Sequence, residues 1–267
     1  MEHLLLIKIA VSIGTVLGLS LVAERVSPRL AGLLSGYPLG TAIALFFIGI
    51  ENSAGFAAES AVYTLPGLGA ALCLAAAYYA GSRLIQGKPA VILAAIAAII
   101  GFIVVSAAFA ELPARLSIAV AVPLAAILLF AYLFRRIENA PALRRSRLGP
   151  KVLAFRAALA TAVVLAITGS AALIGPEWAG LLSAFPSSAF PLFLVIHWTY
   201  GGPAVHTIIK NYPAGMGALV TYSLSVALTY NSLGVGPGTI VSFGFATVYL
   251  VGFSVIGQML ARRRAMA

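Results

Sequence analysis

The second half of this chain repeats the first at a shift of 148 residues. Residues 26–38 read VSPRLAGLLSGYP and residues 174–186 read IGPEWAGLLSAFP, with seven identities in thirteen positions. Further along, Gly69-Ala70 corresponds to Gly217-Ala218 after one residue of slippage at the preceding proline. A fixed shift of this kind indicates a duplicated unit of more than about 100 residues.

The composition decides which solvent the duplicated units face. Hydrophobic residues make up 61% of the 267 residues and charged residues 9%, too few for a water-soluble surface. A membrane-spanning helix needs about 20 mostly apolar residues. Stretches of that kind occupy residues 4–23, 28–50, 61–82, 89–110, 113–134, 153–173, 176–198, 207–230 and 236–261. We therefore predict an all-α polytopic membrane protein of about nine spans, whose first stretch, lacking a signal-peptide pattern, is a retained helix.

The basic residues predict the orientation, because cytoplasmic connections carry an excess of Lys and Arg. Segment 135–156 has seven basic residues and one glutamate, so we place it inside. Counting outward through nine spans puts fifteen of the seventeen basic residues inside and five of the seven glutamates outside. The N-terminus is then external and the C-terminus cytoplasmic. The net charge of +10 follows from this topology and needs no nucleic-acid partner.

The odd number of spans inverts the second unit relative to the first. We predict a four-helix repeat over residues 1–112, a linker transmembrane helix over 113–134, a basic cytoplasmic loop over 135–151 and an inverted four-helix repeat over 152–267. A re-entrant span in either repeat would change this topology. Inverted-topology repeats are an architecture that secondary transporters use.

Each half also resembles the small four-helix inner-membrane proteins of the GlpM family. The residues that carry the resemblance are Lys8, Ala31-Gly32-Leu33, Tyr37-Pro38 and Gly55 in the first half, and Arg156, Ala179-Gly180-Leu181, Phe185-Pro186 and Gly201-Gly202 in the second. Tyr37 departs from the phenylalanine of the family pattern. The resemblance covers most of both halves but not the linker helix. It implies an architecture more than an activity: a chain built as a fused antiparallel pair.

Small residues recur every fourth position beside these motifs. They are Gly32, Gly36 and Gly40 in the first half and Gly180, Ala184 and Ser188 in the second. Such a face lets two helix backbones approach closely in lipid. We predict that the second and seventh spans cross there, with simple helix packing as the alternative interpretation.

Proline accompanies both faces well inside the predicted spans. Pro38 and Pro186 each remove a backbone donor, and YTLPGLG at residues 63–69 and NYPAGMG at 211–217 combine Pro and Gly in a second matched pair. Interrupted helices at corresponding positions of inverted repeats indicate a binding site at the membrane midplane. The predicted substrate-binding residues are Ser35, Tyr37, Pro38, Thr41, Ser183, Phe185, Pro186, Ser187, Ser188 and Lys210.

Few ionisable residues are candidates for function. Lys210 either attracts an anionic group or extends to the inner interface. His197 and His206 flank one predicted cytoplasmic loop and form either a pH-sensitive gate or ordinary interfacial contacts, with Glu51 at the opposite, external mouth. Two histidines without a nearby acid make no convincing metal site, and we predict neither metal nor cofactor.

The expected function is therefore that of a small secondary transporter or facilitator in a bacterial or archaeal cytoplasmic membrane. Its partners would be membrane lipid and a small polar or anionic solute. Whether the chain also forms a homodimer is left undecided by the sequence. Enzyme signatures such as a Gly-rich phosphate loop or His-Glu-x-x-His do not occur, so we do not expect an enzyme. The alternatives are a non-transporting scaffold of an envelope assembly and a channel.

Overall fold

The computed structural model describes residues 2–23, 36–140 and 149–266. These residues form nine α-helices and no strand. In chain order the helices are α1 Glu2–Ala23, α2 Leu39–Glu51, α3 Ala54–Gly81, α4 Lys88–Ala110, α5 Leu116–Phe134, α6 Pro150–Ser183, α7 Ala189–Tyr200, α8 Gly202–Leu233 and α9 Val235–Met266. The predicted all-helical class is confirmed for this part of the chain.

Five of the described helices are long and apolar enough to cross a membrane, by length and composition. They are α3, α4, α5, α6 and the Val235–Val255 part of α9. Shorter apolar helices occur at His3–Thr15, Leu39–Glu51 and Ala189–Tyr200. Large apolar side chains also point outward, with Leu128 73% and Ile240 74% exposed. An apolar exterior of this extent is that of a helical membrane protein.

Helix α3 lies at the centre of the bundle. It packs against α2, α4, α5, α6 and α8, and most of its most apolar stretch is buried. Helix α8 is the second central element and contacts α3, α5, α7 and α9. Helix α5 lies against both α3 and α8. One apolar core cluster therefore joins residues before and after the basic loop, such as Leu65 and Phe193.

The backbone is non-helical at Pro38 and Pro186, and we call the two turns, 36–38 and 184–188, the interruptions. Helix α6 ends at Ser183, and α7 begins only at Ala189, with Pro186 in the turn between them. In the first half a turn at residues 36–38 precedes Leu39, the first residue of α2. The predicted seventh span, 176–198, is thus two helical pieces, and the interruption that we predicted at Pro186 is present.

The second pair of Pro-Gly motifs does not interrupt its helices. Helices α3 and α8 continue through Pro66 and Pro213. Instead, Gly67, one residue after Pro66, and Gly215, two residues after Pro213, each make a close contact with another element. A Cβ on Gly67 would lie 2.8 Å from the Ala184 Cβ, and one on Gly36 would lie 2.5 Å from the Gly215 Cα. These motifs therefore provide tight helix packing.

Candidate binding site at the paired interruptions

The two interruptions meet each other in the folded chain. Gly40 lies in the first turn of α2, and a Cβ placed on it would lie 2.0 Å from the Ser187 Oγ and 3.9 Å from the Ser188 backbone nitrogen. Positions 40 and 188 are themselves separated by the repeat shift of 148. The start of α2 therefore touches the turn that leads into α7.

A small cavity lies beside this contact, between α1, α2, α6 and the turn at 184–188. It has a volume of about 10 Å³, room for roughly one water molecule. Its lining residues are Ser12, Thr15, Leu39, Gly40, Ile43, Ala160, Val164, Ser187 and Ser188. No charged side chain is among these described lining residues, and the cavity surface is apolar although Ser12, Thr15, Ser187 and Ser188 carry hydroxyls.

The polar group in this lining that most requires a partner is the Ser12 hydroxyl. Ser12 is 1% exposed, and its Oγ has no hydrogen-bond partner within the part of the chain that the structure describes. Leaving a buried hydroxyl unsatisfied costs about 1–3 kcal/mol. A water molecule or a polar group of a solute would remove that cost once the Ser12 hydroxyl turned toward the cavity.

Several of the predicted binding residues lie at or next to this site. Thr41 follows Gly40 in α2 and is buried, and Ser187 is 4% exposed. The Ser183 Oγ donates to the Ala179 carbonyl at 2.6 Å, so this hydroxyl is committed to its own helix. Pro38 and Pro186 accept through their carbonyls from Ala42 N and Phe190 N, each at 2.7 Å. The predicted residues Ser35 and Gly32 lie outside the described residues.

The aromatic residues of the two turns point away from each other. The Tyr37 hydroxyl lies 2.9 Å from the Thr247 Oγ1 of α9, and its ring lies 6.0 Å from that of Phe243. Phe185 packs edge to face against Phe102 of α4, with ring centroids 5.2 Å apart. Each turn is thereby attached to the last helix of the opposite half.

The small-residue faces contact the central helices. A Cβ on Gly180 would lie 2.0 Å from the Ser60 carbonyl oxygen of α3, and Ala184 meets Gly67 of the same helix. Gly36 meets the Gly215 backbone of α8. Of the positions predicted to form the crossing, Gly40 and Ser188 are brought together, whereas Gly36, Gly180 and Ala184 contact α8 or α3.

The predicted gating histidines are both anchored to the C-terminal part of α3. His197 Nδ1 lies 3.1 Å from the Tyr78 hydroxyl, and His206 Nε2 lies 2.8 Å from the Ser82 hydroxyl. The His206 ring also packs edge to face on Tyr79, with centroids 4.7 Å apart. These contacts join α3 to α7 and α8 at one end of the bundle, and the gating role stays a prediction.

Glu51, the third predicted gating residue, forms an ion pair that sequence reasoning missed. The Lys8 Nζ donates to the Glu51 Oε2 at 2.5 Å and to the Thr168 Oγ1 at 2.7 Å. The Lys8 side chain is 5% exposed and that of Glu51 27%. The available signal was a lysine inside an otherwise apolar helix, since such residues are paired when they occur. Arg156, which is 148 positions after Lys8, is also buried.

Lys210 lies apart from the paired interruptions. Its Nζ donates to the Ile137 carbonyl oxygen at 2.5 Å, in the segment that follows α5. The neighbouring Thr207 Oγ1 accepts from the Ala140 backbone N–H at 2.7 Å. Lys210 therefore fastens the start of the basic loop to α8 in this structure, and the role predicted for it in solute binding draws no support from these contacts.

Metal ligands are not grouped in the described ranges. No set of three or more His, Cys, Asp or Glu side chains lies close enough there to hold an ion.

Comparison with known proteins finds no matching family model, no matching curated protein and no matching solved structure. The resemblance to the GlpM family stays a prediction.

Proposed function

We propose that the chain is a small secondary transporter or facilitator that moves a small polar or anionic solute by alternating access. The observation that carries this proposal is the contact between the two interruptions, Gly40 against Ser187, beside a cavity lined by Ser12, whose hydroxyl has no partner among the described residues. Unwound backbone at corresponding points of two halves is the form that midplane sites take in secondary transporters.

Helix bounds agree with the repeat of 148 residues on which the proposal rests. Adding 148 to the first residues of α1 and α3 gives 150 and 202, where α6 and α8 begin. The same shift brings the starts of α2 and α4 to within two residues of the starts of α7 and α9. Contacts are reciprocal as well, because α2 packs on α9 while α7 packs on α4.

Helix ends favour a solute with a negative or electron-rich group. Helices α2 and α7 are about 20 Å and 18 Å long, too short for a hydrocarbon core of about 30 Å. Both begin beside the cavity, and neither Pro38 nor Ser188 makes a side-chain cap bond at these helix starts. Helix N-termini carry partial positive charge and exposed N–H groups, which stabilise an anionic group.

Alternating access would then open the cavity to one side of the membrane at a time. The turns at 36–38 and 184–188 would act as hinges, with Tyr37 and Phe185 coupling them to α9 and α4.

A non-transporting scaffold is the second candidate. The observation in its favour is the close packing of Gly36, Gly67 and Gly180, which leaves only a small cavity.

Thiol accessibility tests the proposal without knowledge of the solute. In a Cys73→Ser background, single cysteines replace Ser12 or Ser188, and intact cells and inverted vesicles are treated with a membrane-impermeant maleimide. Ser53→Cys and Gln86→Cys, both at exposed positions, report the two faces of the membrane. A transporter labels at the cavity from either preparation, but from one side at a time in a given state.

A buried serine outside the cavity provides the matched control. Ser106 in α4 is fully buried and, like Ser12, has no hydroxyl partner among the described residues. Ser106→Cys should stay unlabelled under conditions that label the cavity positions. If cysteines at 12 and 188 resist the reagent while those at 53 and 86 react, the scaffold replaces the transporter. Simultaneous labelling from both sides in one state indicates a channel.

A further inference from the structure

An apolar groove follows α4 on the outside of the bundle. Its wider part, about 480 Å³, lies between α4, α6 and α7, and a narrower part of about 230 Å³ continues past Ile99 to Phe102 and Phe185. The wider part is formed mainly by Val91, Ile92, Ala95, Ile96, Phe155 and Leu194. The groove thus connects one end of the bundle with the turn at Pro186.

The side chains that form this groove are apolar and open to the surroundings. Ile92 is 61% exposed, Ile96 51% and Phe155 49%. In a membrane, acyl chains cover such a surface. The distance along α4 from Lys88 to Phe102 is about 21 Å, longer than half of a hydrocarbon core of about 30 Å. The groove is therefore long enough for the acyl chain of one leaflet.

One end of the groove is basic. Lys88 is the first residue of α4 and Lys151 the second residue of α6, so both lysines lie at the same end as Trp198. The Lys88 Nζ lies 4.9 Å from the centroid of the Trp198 ring. Tryptophan is enriched at the membrane–water interface. Within the described residues, neither Lys88 nor Lys151 forms an ion pair with an acidic side chain, since the ion pair found there joins Lys8 and Glu51. Both positive charges are therefore available to a ligand.

We propose that this groove binds an anionic phospholipid. Its phosphate would lie at Lys88 and Lys151, and one acyl chain would follow α4 toward Phe185. Basic side chains beside a groove between transmembrane helices recognise anionic headgroups, whereas the apolar wall alone would accept any lipid. This site is separate from the cavity at Ser12 and does not depend on a transport activity.

Native mass spectrometry of the purified protein tests the lipid site directly. The protein is delipidated in detergent and given equal amounts of phosphatidylglycerol and phosphatidylcholine. We expect wild type to retain phosphatidylglycerol preferentially, and K88Q/K151Q to lower that preference at least about five-fold, since each basic residue near an anionic surface contributes roughly that factor. Equal retention of both lipids by wild type would overturn the proposal.

Two further variants separate charge from shape. R135Q/R136Q removes two positive charges from the end of α5 and should leave the preference unchanged. Ala95→Leu narrows the groove without changing any charge and should lower the retention of both lipids. If R135Q/R136Q acts as strongly as K88Q/K151Q, or if Ala95→Leu has no effect, the lipid does not occupy this groove. Helical content by circular dichroism confirms that each variant folds.

Discussion

At the scale of single residues, the contact between Gly40 and Ser187 decides whether the two interruptions touch. A Cβ on Gly40 would lie 2.0 Å from the Ser187 Oγ but 3.4 Å from the Ser187 Cβ. The clashing atom is a side-chain hydroxyl that can partly rotate away, so Gly40→Ala should destabilise the protein by about 1 kcal/mol, the low end of the overpacking range, measured by thermal unfolding in detergent. Ser187→Ala alone should change stability little.

The double variant makes this test specific. Gly40→Ala with Ser187→Ala removes the clashing oxygen and should recover most of the lost stability, giving a coupling energy of at least about 0.5 kcal/mol. Gly14→Ala is the control, because nothing lies within 4 Å of a Cβ at that position. Strict additivity of the two substitutions would show that the turns do not meet.

A second residue-scale prediction concerns the buried ion pair of Lys8 and Glu51. Glu51→Gln leaves the Lys8 ammonium, 5% exposed, with Thr168 as its remaining hydrogen-bond partner among the described residues. We expect a loss of about 2 kcal/mol or more, because a buried charge without its counter-charge is costly. Lys8→Met should cost less, since the Glu51 side chain is 27% exposed.

Removing both charges separates the effect of the Lys8–Glu51 ion pair from the effect of each residue alone. The double variant Lys8→Met with Glu51→Gln should be more stable in detergent than Glu51→Gln alone, since it leaves no unpaired buried charge. A double variant as unstable as the sum of the single ones would show that the pair does not form.

The candidate site could be predicted in part from single residues. Proline and small residues predicted the interruptions and the close approaches, because those properties act on the backbone locally. The positions of Ser12 and Lys210 could not be predicted this way. Ser12 lines the same cavity as Ser187, and Lys210 donates to the Ile137 carbonyl oxygen. Both neighbours lie far along the chain, and a hydroxyl or an ammonium alone does not specify a distant neighbour.

At the scale of elements, a single glycine separates α7 from α8. Gly201 has φ of 84° and ψ of −180°, a region that only glycine adopts readily. Gly201→Ala should therefore cost about 1–3 kcal/mol of stability. Gly202→Ala is the neighbouring control, because its Cβ would lie 3.4 Å from the His206 ring in ordinary contact. Equal stability of the two variants would contradict the observed connection.

Helix positions follow from hydropathy more reliably than helix continuity does. The predicted linker helix 113–134 is observed as Leu116–Phe134, and the predicted span 89–110 as Lys88–Ala110, since long apolar runs specify both. The runs at 153–173 and 176–183 are two helical pieces of α6 that meet at Gly175, whose φ of 76° and ψ of 169° are non-helical, so a division between these two runs is present. Prolines 66 and 213 lie inside helices that continue, because neighbouring helices stabilise the local loss of a donor.

At the scale of the whole molecule, the two halves form one bundle. Helix α3 packs on α6 and α8, and the largest core cluster contains residues from both halves. Because this packing joins the two halves, they should stay associated when the chain is cut in the basic loop between them. We expect fragments 1–146 and 147–267, expressed together with a tag on one, to copurify from detergent in a ratio near one to one.

The backbone contact at Gly180 provides the matched control for this reassembly. A Cβ there would lie 2.0 Å from the Ser60 carbonyl oxygen, which belongs to the other fragment. Gly180→Val in the second fragment should therefore abolish copurification, whereas Gly169→Val, with nothing within 4 Å of a Cβ at that position, should not. Fragments that accumulate in the membrane but never copurify would show that the halves are independent units. That result would count against a shared site at Gly40 and Ser187, because its two sides come from different halves.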